Sequence, residues 1–120
     1  MIPLLVTGAT SMVGSRFLDL YPEFVVENLD LTTGVDITDA ELVKQKVSQS
    51  SAPALIHFAA FTDVDAANQQ SGDKDGPCHR VNVIGTKAVA QACADSGKYL
   101  IHISTDFVFD GKNPPVGGYN

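Results

Sequence analysis

The chain has 120 residues, 44% of them hydrophobic and 18% charged, and carries a formal net charge of −6. That length suits one domain and that composition a packed core, which excludes a disordered or low-complexity segment. The acidic balance excludes a generic nucleic-acid binder, which needs surplus Lys and Arg along the phosphate backbone.

Ile2–Val6 is a short continuous apolar run with no basic segment ahead of it, and it halts at Thr7-Gly8. It predicts a strand buried on both faces of a parallel sheet rather than a signal peptide. A turn over residues 7–14 leads into a helix that ends near Leu20, ahead of Pro22. Phe24-Val25-Val26 begins a second strand running toward Asp30, and Gly34-Val35-Asp36-Ile37 could add a short one, so four or five strands are expected. Thr38-Asp39-Ala40-Glu41 has the spacing of a capping box with Thr38 as the cap. It opens an amphipathic helix to about Gln49, with Leu42, Val43 and Val47 inward. Ala54–Phe58 is the next strand, within the apolar stretch 53–61, which is far short of the ~20 residues that span a bilayer. The polar, glycine-containing residues 69–77 read as a surface loop. From Val81 to Ser96 apolar residues recur at helical spacing, and Gly97 suits the position just past the helix end. Tyr99–Ile103 is the last strand, followed by a loop rich in glycine and proline. Strands alternating with helices predict a doubly wound, three-layer α/β fold with a parallel sheet, Rossmann-like and incomplete at its C-terminal side.

Cys78 and Cys93 are isolated, and His79 beside Cys78 makes no ligand set, so reduced thiols, a cytoplasmic location and no metal are expected. His57 and His102 fall among apolar strand residues and read as core histidines with a satisfied hydrogen bond.

Gly8-x-x-Ser11-x-x-Gly14 lies between the first strand and first helix, the context that gives such a motif meaning. Gly8 permits a tight turn and Gly14 close helix–strand packing. The amides over Thr10, Ser11, Met12 and Val13, at the positive end of a helix, suit a pyrophosphate. Ser11 stands where glycine is usual, and it either crowds the phosphate or donates its hydroxyl to it. Asp30, 22 residues after Gly8, is placed to bind a ribose diol and would repel a 2′-phosphate, favouring NAD over NADP. Glu27 is its rival for that place. Asp36-Ile37 either lines the adenine pocket or supplies an ordinary turn aspartate.

In joint order, Val6-Thr7-Gly8-Ala9-Thr10-x-x-Val13-Gly14, Asp36-Ile37-Thr38-Asp39, His57 to Asp65, Val81-Asn82-x-x-Gly85-Thr86 and Ile103 to Gly111 resemble the extended short-chain dehydrogenase/reductase family. The stretches 61–67 and 104–111 resemble its dTDP-4-dehydrorhamnose reductase branch. The resemblance implies an NAD(P)H-dependent reductase of a 4-keto nucleotide sugar. A nucleotide-sugar epimerase or dehydratase, or a catalytically silent regulatory subunit, uses the same loop. It further implies that Ala59-Ala60 let the cofactor approach a central strand, and that Asn82 borders the cofactor while stabilising the central strands, unless it only caps a helix. Thr105 would be the hydroxyl on the reacting oxygen, with Ser104 against the cofactor and Asp106 either a turn residue or a neighbour of the site. A homodimer is compatible with the family. Its members complete catalysis with Tyr-x-x-x-Lys, which this sequence lacks; Tyr119 follows Thr105 too closely to serve. The chain is therefore expected to be either the N-terminal part of a longer enzyme or a relative that binds nucleotide without turnover.

Overall fold

The computed structural model describes residues 1–105, 109, 111, 112 and 116–118. Four parallel strands form one sheet: β1 (Ile2–Thr7), β2 (Phe24–Leu29), β3 (Ala54–His57) and β4 (Tyr99–His102), in the order β2-β1-β3-β4. Helix α1 (Met12–Leu20) connects β1 to β2 and α2 (Ala40–Gln49) carries the chain back past β1 to β3. Between β3 and β4 come α3 (Val64–Gln69), α4 (Pro77–His79), a wide turn over Arg80–Gly85 and α5 (Thr86–Asp95), the last three with continuous right-handed helical backbone across their junctions.

The strand pattern dictates the layers. Leu4, Val6 and Ile56 face α1 and pack with Ala9, Phe17, Leu18, Phe24 and Phe58. Leu5 and Leu55, one residue out of phase, face the other side with Leu29, Val43, Val47, Val89, Ala92 and Cys93, where α2 lies against α5. Alternate residues of a buried parallel strand must both be apolar when helices cover both faces. The expected three-layer doubly wound fold is what forms.

Several local expectations are corrected. Gly34–Ile37 adds no strand; Val35 and Ile37, 2% and 6% exposed, plug the core as loop side chains instead. The cap of α2 is Asp39, whose carboxylate accepts from the Leu42 amide, while the Thr38 hydroxyl donates to Asp36. A carboxylate one residue nearer the helix reaches its amides first. The loop at 69–77 is shorter than expected, since Gln69 ends α3 and Pro77 opens α4. Asp63 caps α3 through the Ala66 amide; a helix of six residues has too few turns to show a stripe.

Candidate functional site

The reversal of connection direction falls between β1 and β3, so the loops leaving those two strands diverge and open a crevice at their carboxyl ends. Gly8 leaves β1 with φ of +70°, and a Cβ there would stand 2.8 Å from the Ala59 nitrogen. Only glycine lets the two loops lie this close. Gly14 sits under the first turn of α1, where a Cβ would come 2.3 Å from the Gly8 carbonyl oxygen. Both glycines are thus required by close backbone approach.

Ser11 caps α1, its hydroxyl oxygen accepting from the Gly14 amide at 3.1 Å. The hydroxyl hydrogen stays available for donation. The Met12 and Val13 amides belong to the first turn, which the helical ladder leaves unpartnered; their side chains are 86% and 56% exposed.

A cleft of about 790 Å³ gathers Gly8, Thr10, Ser11, Asp30, Asp36, Ile37, Ala59 and Ala60 on one wall system. Residues from three separated stretches of sequence meet there because β1, β2 and β3 end side by side. Asp30 caps a tight turn, Leu31–Thr33, closed by Gly34 at φ +78°. Its carboxylate accepts from the Thr10 hydroxyl (3.0 Å), the Asn28 amide group (2.7 Å), and the Thr32 amide (2.8 Å) and hydroxyl. Burial pushes the Asp30 carboxyl up, and the hydrogen bonds from Thr32, Asn28 and Thr10 outweigh it, lowering its pKa to about 2. Asp36 is a turn aspartate accepting from the Thr38 amide and hydroxyl, and it also stands on the wall of the cleft. Those two Thr38 bonds hold its carboxyl below the usual value, with Arg80 contributing through space.

Other candidates lie elsewhere. Glu27 points away from the cleft and accepts from the Ser50 hydroxyl. Asn82 faces the loop after β3 rather than the cleft wall: its oxygen accepts from the Phe61 amide at 2.7 Å and its nitrogen donates to the Phe61 carbonyl at 3.2 Å. Its oxygen and nitrogen thus both bind that loop, and the nitrogen also donates to the Cys78 sulfur at 3.7 Å. Ser104 and Thr105 are exposed just past the end of β4. Asp106 and Tyr119 lie outside the described residues.

Of the two strand histidines, His57 is buried and doubly bonded as expected. Its Nδ1 lies 2.6 Å from the Thr7 hydroxyl and its Nε2 2.9 Å from the Thr86 hydroxyl. Thr7 Oγ1 also accepts from the Ala59 amide, so this chain of contacts ties the floor of the cleft to α5. Burial first, and His102 second, depress the His57 pKa to about 4. His102 is the correction: it is exposed, its ring stacked 5.6 Å from that of His57 on the adjacent strand.

Arg80 is the cleft residue that sequence reasoning missed. It is the one basic side chain on the cleft wall among the described residues. Its adjacency to Val81-Asn82 was a signal, but only the wide turn over Arg80–Gly85 aims it back toward Asp36.

The sheet order, the two-sided helical cover and the crevice at the switch between β1 and β3 define a Rossmann-like α/β protein. The chain belongs to the family described as RmlD substrate binding domain, whose model matches residues 2–119. It is 36% identical over 109 residues to the dTDP-4-dehydrorhamnose reductase of Mycobacterium tuberculosis, across 90% of this chain and 34% of that protein. It is also 37% identical over 128 residues to the dTDP-glucose 4,6-dehydratase of the same organism, across 88% of this chain and 37% of that protein. Among solved structures, a dTDP-4-dehydrorhamnose reductase of Bacillus anthracis in complex with NADP superposes with a TM-score of 0.80 at 31% identity, over 95% of this chain and 40% of that one. The chain thus spans about a third of the length of the curated relatives it matches. No helix among the described residues is long and apolar enough to cross a membrane.

Proposed function

We propose that this chain is the nicotinamide-dinucleotide-binding part of a reductase acting on a 4-keto nucleotide sugar. The observation that carries the reading is the cleft itself, where Gly8, Thr10, Ser11, Asp30, Asp36, Ile37, Ala59 and Ala60 converge at the topological switch point. The residues fit such a group. The Gly8 turn, packed directly on the Ala59 backbone, brings the loops after β1 and β3 together at the cleft, and Ser11 and the first amides of α1 offer donors to a pyrophosphate. Apolar Val35, Ile37 and Val81 beside Asp36 form a slot for a flat base.

When bound, the dinucleotide supplies the hydride for the ketone carbon. The chain's own residues hold and orient. Gly8, Ser11, Met12, Val13 and Gly14 seat the phosphates, and Ala59 and Ala60 leave room above β3. Asn82 acts on that seat from behind, through Phe61. Thr105 donates its hydroxyl to the substrate oxygen, and Ser104 lies between it and the sheet. Holding the reacting groups in register is where much of the acceleration in such enzymes arises. NAD(H) and NADP(H) are both compatible with the wall: Asp30 adds a negative charge and Arg80 a positive one. The dehydratase relative favours a second reading, a nucleotide-sugar dehydratase or epimerase, on the same cofactor seat.

Calorimetric titration of the protein with NADH and with NADPH tests the seat; saturable micromolar binding of either is expected, and no binding of both overturns the reading. For the activity, the full-length protein is assayed with dTDP-4-dehydrorhamnose. Stoichiometric loss of reduced-nicotinamide absorbance supports the reductase, whereas no reaction there, with conversion of dTDP-glucose and no net cofactor consumption, supports the second reading.

A further inference from the structure

The strongest unexplained feature of the cleft is that Asp30, one of its two acidic residues, has nothing left to offer. An ionised carboxylate has about four lone-pair sites on its two oxygens. In Asp30, Oδ2 accepts from Thr10 Oγ1 and Asn28 Nδ2, and Oδ1 accepts from Thr32 N and Thr32 Oγ1. The residue is 9% exposed. Its four donors come from three places: the loop after β1, the end of β2 and the turn at Leu31–Thr33. Asn28 extends the set by accepting from the Ala9 amide at 3.2 Å.

Resting on the dinucleotide reading above, we infer that Asp30 is a positioning residue that latches the phosphate loop to the turn after β2, and that the hydroxyl oxygens of Thr10 and Thr32 meet the adenosine ribose in its place. Thr10 and Thr32 each direct their hydroxyl hydrogen onto Asp30, so each oxygen keeps lone pairs for an incoming donor. Both residues are exposed and both line the cleft. A ribose diol supplies two such donors. The carboxylate behind them polarises both hydroxyls, which strengthens them as acceptors.

The inference separates from direct ribose binding by cofactor preference. A carboxylate in direct contact with the diol discriminates against a 2′-phosphate, so its loss shifts preference toward NADPH. A latch whose loss loosens the whole loop weakens both cofactors alike. The experiment measures dissociation constants for NADH and NADPH, with the thermal midpoint, for wild type, Asp30→Asn, Thr32→Val and Thr32→Ser. Asp30→Asn is expected to weaken both cofactors tenfold or more, with their ratio changed less than threefold, and to lower the midpoint. Thr32→Val is expected to weaken NADH about fivefold, and Thr32→Ser, which keeps the hydroxyl, to restore it within twofold.

A tenfold or greater swing toward NADPH in Asp30→Asn with an unchanged midpoint overturns the inference. If Asp30→Asn does not fold, the Thr32 pair decides: NADH affinity in Thr32→Val equal to wild type overturns it. A wild-type protein that binds neither cofactor removes the dinucleotide reading and the ribose role with it. The midpoint of Asp30→Asn then decides the latch alone, an unchanged value overturning it.

Discussion

Glycine at positions 8 and 14 is dictated by neighbours rather than by the turn alone. At Gly14 the obstruction is the Gly8 carbonyl, a backbone atom that cannot swing aside. Gly14→Ala is therefore expected to lower stability by about 1–3 kcal/mol or more, read from urea denaturation midpoints. Gly8→Ala combines strain at positive φ with the Ala59 contact and is expected to cost at least as much, and to abolish dinucleotide binding. His57 makes a different kind of prediction. Its folded pKa, about 4, lies below the ordinary 6.5, so in that interval the unfolded chain binds the extra proton. The stability it contributes is complete above pH 6.5 and is lost as pH falls toward 4. A urea midpoint measured against pH should decline over that window, and His57→Gln should flatten the decline. Asp30 acts lower, its contribution being lost as pH falls from 3.8 toward 2. Thr86→Val, which strands the His57 Nε2 in the core, is expected to cost roughly 1–3 kcal/mol by the same denaturation measurement.

Helix α2 shows how an element can be foreseen while its detail is not. The apolar spacing of Leu42, Val43 and Val47 placed the helix correctly, and Val43 and Val47 are buried. The choice between Thr38 and Asp39 as cap depends on which side chain the preceding turn leaves facing the helix amides, and Asp36 had already taken Thr38. Asp39→Ala is thus expected to destabilise by about 1 kcal/mol and Thr38→Ala by clearly less, in a comparison of thermal midpoints. Similarly, the helical spacing of Val89, Ala92 and Cys93 was readable across α5, with Gly97 closing it at φ +64°. The wide turn at Arg80–Gly85 was not readable, because it follows from packing: a Cβ at Gly85 would stand 2.8 Å from the Ile37 Cδ1. That packing brings Arg80 to the cleft and Asn82 to Phe61.

At the level of the whole molecule, the sheet is covered on both faces at β1 and β3 but thinly at β4. Tyr99, Ile101 and Ile103 are 80%, 50% and 50% exposed along that edge. An exposed apolar edge strand is a template for association. A concentration series by light scattering is expected to show apparent mass rising with concentration, and Ile101→Lys to suppress the rise. A monomer at every concentration would contradict this.

Hydrophobic period, glycine spacing and helix-stop residues by themselves determined the order of strands and helices, the parallel doubly wound sheet and the place of the glycine turn after β1. These are local patterns, and each is enforced by the pleat, the helical repeat or a backbone that only glycine permits. Tertiary structure alone decided which polar groups remain free. In the sequence Asp30, Glu27 and Asn82 all stand as polar candidates, yet Glu27 turns to Ser50, Asn82 binds Phe61, and Asp30 is saturated by donors from three segments. Hydrogen-bond capacity is finite and its partners come from distant parts of the chain, so the role of a polar residue is settled only when the strands that carry those partners are brought side by side.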